Sequence, residues 1–330
     1  MKEIINSVLD CIGQTPMIPI NLCRLDKTCL RPDGHRGRQT CRMGRSQPKS
    51  IARIMAKLEF INPSGSVKDR IAKHIIEKAE RRGDLKKDSI IVEASSGNTG
   101  IGLAMVAAAK GYRLIIIMPE HMSKERVKIM RALGAKVILT PKSGGFTRPV
   151  QKAEAMAKRN PKIFLPRQFS NPDNTEVHRL TTGREIIRQC HGKIDAFVAG
   201  IGTGGTLMGV AEALREKGIK AKIVAVEPSE AAILSGEVEM CSHHIAGIGD
   251  GFIPEIVNEH KIDQVVKVNS LDAVKMAKRM ITRLGLMVGV SSGANYWAAC
   301  QVARQLGQGK TVVTVLPDRM ERYFSTALFK

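Results

Sequence analysis

The sequence lacks long apolar runs. None of its 330 residues form a stretch approaching the length of a membrane-spanning helix, which needs about 20 apolar residues. Residues 1–7 carry charges of both signs, and no apolar segment of the kind found in signal peptides follows them. The sequence therefore predicts a cytoplasmic protein with no membrane association.

The sequence also lacks paired cysteines. Its seven cysteines are odd in number and scattered, and no two of them form a C-x-x-C pair. This distribution argues against a disulfide framework. The cysteines are Cys11, Cys23, Cys29, Cys41, Cys190, Cys241 and Cys300.

Acidic residues are few. The chain has 31 Asp and Glu against 52 Lys and Arg, a net charge of +21. About a third of this excess comes from residues 24–53, with nine basic and two acidic residues. The cysteines and the histidine of this stretch raise the alternatives of a zinc site or a nucleic-acid patch. Because paired cysteines and interleaved aromatic residues are missing, we interpret residues 24–50 as a solvated insertion, without metal or nucleic acid.

Short apolar runs alternate with helical patterns along the rest of the chain. Examples are "SIIVEAS" (89–95) and "RLIIIMP" (113–119) in the first half, and "AFVAG" (196–200) and "KIVAVEP" (222–228) in the second. This alternation is typical of parallel sheets covered by helices on both faces. It predicts two doubly wound α/β domains, residues 1–171 and 172–330, with a cleft between them where an active site would lie.

The stretch "NPSGSVKDR" (62–70) places Lys68 where a glycine-rich turn meets a helix. The positive end of the helix dipole disfavours an ammonium group at this position. The setting suits a lysine that must spend time as a neutral amine or an imine.

A second turn lies in "EASSGNTGIGLA" (93–104), where a strand passes into a helix. Glycines and exposed N–H groups at such a junction suit a carboxylate ligand. The alternative interpretation is a helix start capped by serine or asparagine.

A third turn, "AGIGTGGTLMGV" (199–210), satisfies G-x-G-x-x-G after a strand, and Glu227 ends the next strand. This pattern matches a dinucleotide fingerprint with an acidic ribose ligand, which would indicate an oxidoreductase. The same loop also matches a glycine-rich cup for a single phosphate. The loop alone leaves both interpretations open.

A fourth turn, "GVSSGANYWAA" (289–299), places Ser291 at another helix start. A lysine turn, a carboxylate loop, a phosphate cup and a late serine turn are the parts that pyridoxal 5′-phosphate chemistry requires. Together, the four motifs favour this cofactor over a dinucleotide.

These motifs resemble, in order, those of the cysteine synthase (O-acetylserine sulfhydrylase) and cystathionine β-synthase family. The resemblance runs from "IGQTPMIPI" (12–20) to "LPDRMERYFST" (316–326) and breaks across 24–50. It implies a fold-type-II pyridoxal-phosphate enzyme, related in fold to the tryptophan synthase β chain, with the cofactor in the cleft between the two domains.

The resemblance also assigns roles by position. Lys68 would form the Schiff base, Asn98 would bind the cofactor's ring oxygen, and Ser291 would face the pyridine nitrogen. The residues that match the phosphate loop are Gly202, Thr203, Gly204, Gly205 and Thr206. The residues that match the substrate-binding positions are Ser95, Ser96, Gly97, Thr99, Gln168, Gly247 and Asp250.

The implied reaction is the synthesis of L-cysteine from O-acetyl-L-serine and sulfide. The freed Lys68 amine would remove the α-proton, acetate would leave, and sulfide would add to an aminoacrylate. Homocysteine as the nucleophile, or O-phosphoserine as the donor, is the alternative within the family. The resemblance further implies a homodimer and serine acetyltransferase as a partner.

The sequence departs from the family at three positions near these motifs. Asp250 replaces a small residue in "AGIGDGFIP" (246–254), and Arg319 and Met320 replace small residues in "LPDRMERY" (316–323). We expect the Asp250 carboxylate to disfavour a phosphate leaving group, because two negative charges a few ångströms apart repel each other.

Overall fold

The computed structural model describes residues 5–21, 51–95, 97–143, 147–236 and 242–329. The solvated insertion predicted at 24–50 lies outside these residues. In the described part of the chain, no helix is long and apolar enough to cross a membrane.

The described strands form two sheets. The strands are β1 (Met17–Pro19), β2 (Arg53–Leu58), β3 (Ile90–Ala94), β4 (Arg113–Pro119), β5 (Lys136–Thr140), β6 (Ile163–Phe164), β7 (Ala196–Gly200), β8 (Lys222–Pro228), β9 (Gln264–Val268) and β10 (Thr311–Leu316). The larger sheet has the order β1-β2-β10-β7-β8-β9, and the smaller sheet has the order β5-β4-β3-β6. Only the β1–β2 pairing is antiparallel among these strands.

Helices alternate with these strands, as the sequence predicts. The α-helices are α1 (Lys68–Arg82), α2 (Asn98–Lys110), α3 (Lys124–Ala132), α4 (Thr147–Arg159), α5 (Asp173–Val177), α6 (Arg184–Gln189), α7 (Gly205–Glu216), α8 (Ser270–Leu284) and α9 (Val290–Leu306). A turn of π-helix, His178–Gly183, joins α5 to α6.

The strands at the centre of each sheet are buried on both faces. In the smaller sheet, Ile91, Val92, Ile116 and Ile117 have no exposed surface. Neighbouring residues along a strand point to opposite faces of the sheet, so full burial of both members of each pair requires helices on both sides. The doubly wound α/β architecture predicted from the apolar runs is confirmed.

The sheets do not divide at residue 171. The first two strands, β1 and β2, belong to the larger sheet with the strands of the second half, because β2 pairs with β10 over six residues. The limits 1–171 and 172–330 therefore stay a prediction about domains, while the smaller sheet comprises only residues 90–164.

The parallel strand order gathers the motif loops at one place. Lys68 follows β2, Asn98 follows β3, and the glycine-rich loop follows β7. The strands β2, β10 and β7 are parallel neighbours, so their carboxyl ends lie at the same edge of the larger sheet. Ligands of α/β sheets bind at this edge.

A buried ion network fixes the start of α1. The guanidinium of Arg70 lies 2.7 Å from a carboxylate oxygen of Glu59 and 2.7 Å from one of Glu185. The ammonium of Lys57 lies 2.7 Å from the other oxygen of Glu185. All four side chains are almost completely buried. The network ties β2, α1 and α6 together two residues from Lys68.

We predict that Arg70→Met destabilises the fold by about 3–5 kcal/mol, because it leaves the carboxylates of Glu59 and Glu185 buried without their guanidinium partner. The control is Lys162→Met, which removes an ion pair with Asp88 whose side chains are both 60% exposed; it should cost less than about 1 kcal/mol. Chemical denaturation measures both. Equal costs would show that the network is not a stability determinant.

Candidate active site

The motif loops surround one cleft. Strand residues of the larger sheet line it on one side, and residues of the helices that follow β3 and β4 of the smaller sheet line it on the other, so the cleft predicted between two α/β units exists. The predicted site residues that line it are Lys68, Asn98, Thr99, Gln168, Gly202, Thr203, Gly204, Thr206, Gly247, Asp250 and Ser291. Ser96 lies outside the described residues.

Lys68 is the first residue of α1 and is partly buried at the wall of the cleft. Burial lowers the pKa of its ammonium to about 8, although the nearby carboxylates of Asp250 and Asp318 oppose the shift. A lysine with such a pKa is unprotonated for about a tenth of the time at pH 7, against less than about a thousandth for a solvated lysine. The turn that holds it is tied to the segment after β10, since the backbone N–H of Val67 donates to the carbonyl of Pro317 at 2.8 Å.

The turn before α2, in "EASSGNTGIGLA" (93–104), has features of both interpretations given above, a capped helix start and a binding loop for a carboxylate. The Ser95 hydroxyl oxygen accepts hydrogen bonds from the backbone N–H groups of Gly97 (3.2 Å) and Gly100 (2.9 Å), so it caps the start of α2. It is not among the residues that line the cleft. The Thr99 hydroxyl faces the cleft and donates to the side-chain carbonyl of Gln168 at 2.5 Å. Thr99 and Gln168 are thus the predicted carboxylate-binding side chains that the structure brings together.

The glycine-rich loop forms a cradle at the start of α7. A Cβ at Gly202 would collide with the carbonyl of Gly247, and one at Gly205 with the side chain of Asn174. Gly204 has φ +86°, which favours glycine. The Thr203 hydroxyl accepts from Asn174 at 3.0 Å. Backbone N–H groups at a helix start and two threonine hydroxyls suit a phosphate.

The second possible role of this loop, in dinucleotide binding, is not supported. The carboxylate of Glu227 is buried and accepts hydrogen bonds from the backbone N–H groups of Leu234 (2.9 Å) and Ser235 (3.1 Å) and from the Ser235 hydroxyl. It closes the turn after β8 instead of facing a ribose. The alternative interpretation of Glu227 as a ribose ligand is therefore not supported, and the phosphate cup that the four motifs together favoured is kept.

The arrangement fits pyridoxal 5′-phosphate. The glycine cradle would hold the phosphate, Lys68 would reach the aldehyde carbon, and Asn98 would lie beside the ring oxygen. Ser291 is buried in the first turn of α9 and lines the cleft, so its hydroxyl would be available to the pyridine nitrogen. A Cβ at position 202 or 205 would collide with Gly247 or Asn174, so only glycine lets the loop pack against these two residues.

The sequence analysis assigns no role to three residues at the cleft or in contact with its lining, Arg126, Asp318 and Arg322. Arg126 of α3 lines the cleft, and its side chain fills the space beside Gly97. Asp318 and Arg322 both contact the amide of Asn98. No sequence signal distinguishes Arg126 in its charged helix. Asp318 and Arg322 lie in "LPDRMERY", which the resemblance includes but to which it assigns no role.

Comparison with known proteins agrees with this site. A family model described as pyridoxal-phosphate dependent enzyme matches residues 33–318. A curated cysteine synthase of Staphylococcus aureus is 50% identical over 281 residues, which cover 85% of this chain and 90% of that protein.

Solved structures show the same similarity. The crystal structure of cysteine synthase from Entamoeba histolytica matches with a TM-score of 0.86 and 39% identity, covering 99% of this chain and 91% of that one. The O-acetylserine dependent cystathionine β-synthase from Helicobacter pylori matches with a TM-score of 0.88 and 35% identity, covering 99% of both chains.

This chain belongs to the pyridoxal-phosphate dependent enzymes and, among them, to the cysteine synthase family. The predicted fold type II and the predicted cofactor are confirmed.

The pKa of Lys68 predicts how the apoprotein takes up its cofactor. Only the neutral amine attacks the aldehyde, so the uptake rate should rise with pH and reach half its maximum near pH 8, well below the pKa of about 10.4 of a solvated lysine. Asp250→Asn removes a charge that raises this pKa, so the midpoint should move to lower pH. Stopped-flow absorbance measures both. A midpoint near that of a solvated lysine, or an upward shift in the variant, would contradict this assignment.

Proposed function

We propose that this enzyme converts O-acetyl-L-serine and sulfide into L-cysteine and acetate, with Lys68 as the catalytic lysine. The observation that carries the proposal is the placement of Lys68, with its lowered pKa, in one cleft with the phosphate cradle and Ser291. The 50% identity to a cysteine synthase over most of both chains supports sulfide as the nucleophile.

Lys68 would act twice. It would hold the cofactor in the resting enzyme, and, once the substrate amine displaces it, its amine would take the α-proton of the substrate. Burial keeps this amine partly unprotonated, which a base requires. When bound, pyridoxal 5′-phosphate supplies the electron sink for the electron pair left at the α-carbon.

Thr99 and Gln168 would bind the substrate carboxylate. Their hydrogen bond of 2.5 Å closes this corner of the cleft, and the amide of Gln168 donates to the carbonyl of Ala94 at 2.9 Å. A carboxylate would accept from the Thr99 hydroxyl, which would turn its single hydrogen from Gln168 to the substrate. It would also accept from backbone N–H groups at the start of α2, where the helix dipole favours negative charge. Orienting the substrate in this way places its α-carbon toward Lys68.

The overall reaction balances with these groups alone. Loss of the α-proton to Lys68 and departure of acetate leave the three-carbon unit unsaturated. Hydrosulfide then adds to its β-carbon, and the proton returns from Lys68 to the α-carbon. In the net reaction, hydrosulfide replaces acetate at the β-carbon.

A product assay tests this function. The holoenzyme given O-acetylserine and sulfide should release one cysteine for each acetate, and Lys68→Ala should lower kcat by about a thousandfold or more. The matched control is Lys73→Ala, since Lys73 lies on the same helix, and its ammonium donates to the carbonyl of Leu9 at 3.0 Å. Full turnover by Lys68→Ala would refute its role. Turnover with homocysteine but not with sulfide would refute the choice of nucleophile.

Asp250 would set the choice of donor. Its carboxylate lines the cleft with Lys68, and burial raises its pKa while the charges of Lys68, His243 and Arg126 oppose that change. A phosphate leaving group would bring about two further negative charges toward this carboxylate, whereas an acetyl group brings none.

We predict that kcat/KM favours O-acetylserine over O-phosphoserine, and that Asp250→Ala reduces this preference by about tenfold or more, as removal of a nearby like charge implies. The control is Glu255→Gln, an exposed carboxylate in the same segment. A parent enzyme that prefers O-phosphoserine, or a preference that Asp250→Ala leaves unchanged, would show that Asp250 does not select the donor.

The homodimer and the association with serine acetyltransferase stay predictions from the family resemblance. The cytoplasmic location stays a prediction from the sequence.

A further inference from the structure

The side-chain amide of Asn98 is hydrogen-bonded at both of its ends. Its nitrogen, Nδ2, donates to the Asp318 carboxylate at 2.7 Å, and its oxygen, Oδ1, accepts from the Arg322 guanidinium at 2.9 Å. A carboxylate only accepts hydrogen bonds, and a guanidinium only donates them. These two partners therefore permit one orientation of the amide and exclude the flipped one.

Both partners are held firmly. Asp318 has no exposed surface, and Arg322 is 3% exposed. The Tyr323 hydroxyl donates to the same carboxylate at 2.5 Å, and the backbone N–H of Gly289 donates to the Asp318 carbonyl at 3.0 Å. The guanidinium of Arg322 also donates to the carbonyl of Ser64 in the turn before Lys68. The orientation of Asn98 is thus set by a segment more than 200 residues away in the sequence.

We propose that Asp318 and Arg322 are positioning residues that direct the NH2 group of Asn98, and not its carbonyl, toward the cofactor's ring oxygen. This inference rests on the proposed contact between Asn98 and that oxygen. The amide nitrogen carries two hydrogens. One is used by Asp318, and the other is available to the cleft that Asn98 lines. In the flipped orientation, two acceptor oxygens would face each other.

The proposal predicts different effects for substitutions of Asp318, Arg322 and Tyr323. Asp318→Asn replaces a pure acceptor with a group that can also donate, so either orientation of Asn98 becomes possible. Arg322→Met removes the donor to Oδ1, and Arg322→Lys restores one. Tyr323→Phe removes a hydrogen bond from the same buried cluster but leaves both partners of Asn98 in place, which makes it the matched control.

The test measures the visible absorption of the bound cofactor and its dissociation constant, with the melting temperature recorded for each holoprotein. Asn98→Ala sets the scale, because it removes the contact itself. We expect Asp318→Asn and Arg322→Met to shift the absorption band in the same direction as Asn98→Ala. We also expect them to weaken cofactor binding by about fivefold or more, the loss that a typical hydrogen bond implies. Arg322→Lys should recover part of this loss. Tyr323→Phe loosens the hold on Asp318 but removes neither partner of Asn98, so it should shift the band clearly less than Asp318→Asn does, even if it lowers the melting temperature more.

Asp318 also raises the pKa of Lys68, so a second comparison isolates the amide. Asp250→Asn removes the other carboxylate that raises this pKa without touching Asn98. If the proposal is correct, Asp250→Asn does not reproduce the band shift of Asp318→Asn.

Two results would overturn the proposal in distinguishable ways. If Asn98→Ala leaves the band and the affinity unchanged, the contact with the ring oxygen is absent, and the proposal falls with it. If Asn98→Ala changes them but Asp318→Asn and Arg322→Met do not, or if Tyr323→Phe changes them equally, the contact exists and these residues do not orient it. Should Asp318→Asn fail to fold, the Arg322→Met and Arg322→Lys pair decides alone.

Discussion

The buried contacts of Arg70 with Glu59 and Glu185 are the constraint on which the active site depends. They join the turn just after β2 with α1 and α6 in the interior, two residues from Lys68, the lysine proposed to carry the chemistry. Because buried charges are stable only when paired, the network tolerates little displacement of α1. Lys68 can then be held at the wall of the cleft with a pKa near 8. Burial of the Lys68 amine costs stability. The amine stays buried because the surrounding structure holds α1 in place.

Arg319 and Met320, which replace small residues of the family motif, lie in the segment after β10, and their contacts show where these larger side chains are accommodated. Arg319 donates to the carbonyl of Phe60 at 2.9 Å, and its aliphatic part packs against Gly65 in the lysine turn. Its backbone N–H donates to the carbonyl of Gly65 at 3.2 Å, and that of Met320 to the carbonyl of Met287 at 3.2 Å. The larger residues at these positions therefore lie behind the lysine turn, and neither is among the residues that line the cleft.

Much of this site could be predicted from the sequence, because its chemistry demands particular residue types where strands pass into helices. Lys68, Gly202–Thr206 and Ser291 were found in this way. Contacts that depend on packing could not be predicted: Arg322 reaches Asn98 across 224 positions. The acidic residue Glu227 matched a motif by spacing, but its carboxylate caps a local turn. The strands β1 and β6 have only three and two residues, too few to show a period in the sequence.

The central claim is that the cleft between the two sheets binds the cofactor through Lys68. Borohydride reduction of the holoenzyme, followed by proteolysis and mass spectrometry, fixes the cofactor to the lysine that carries it. The account predicts one modified peptide, the one that contains "SGSVKDR" (64–70), with the added mass on Lys68. A modification on any other lysine would contradict the assignment of the site.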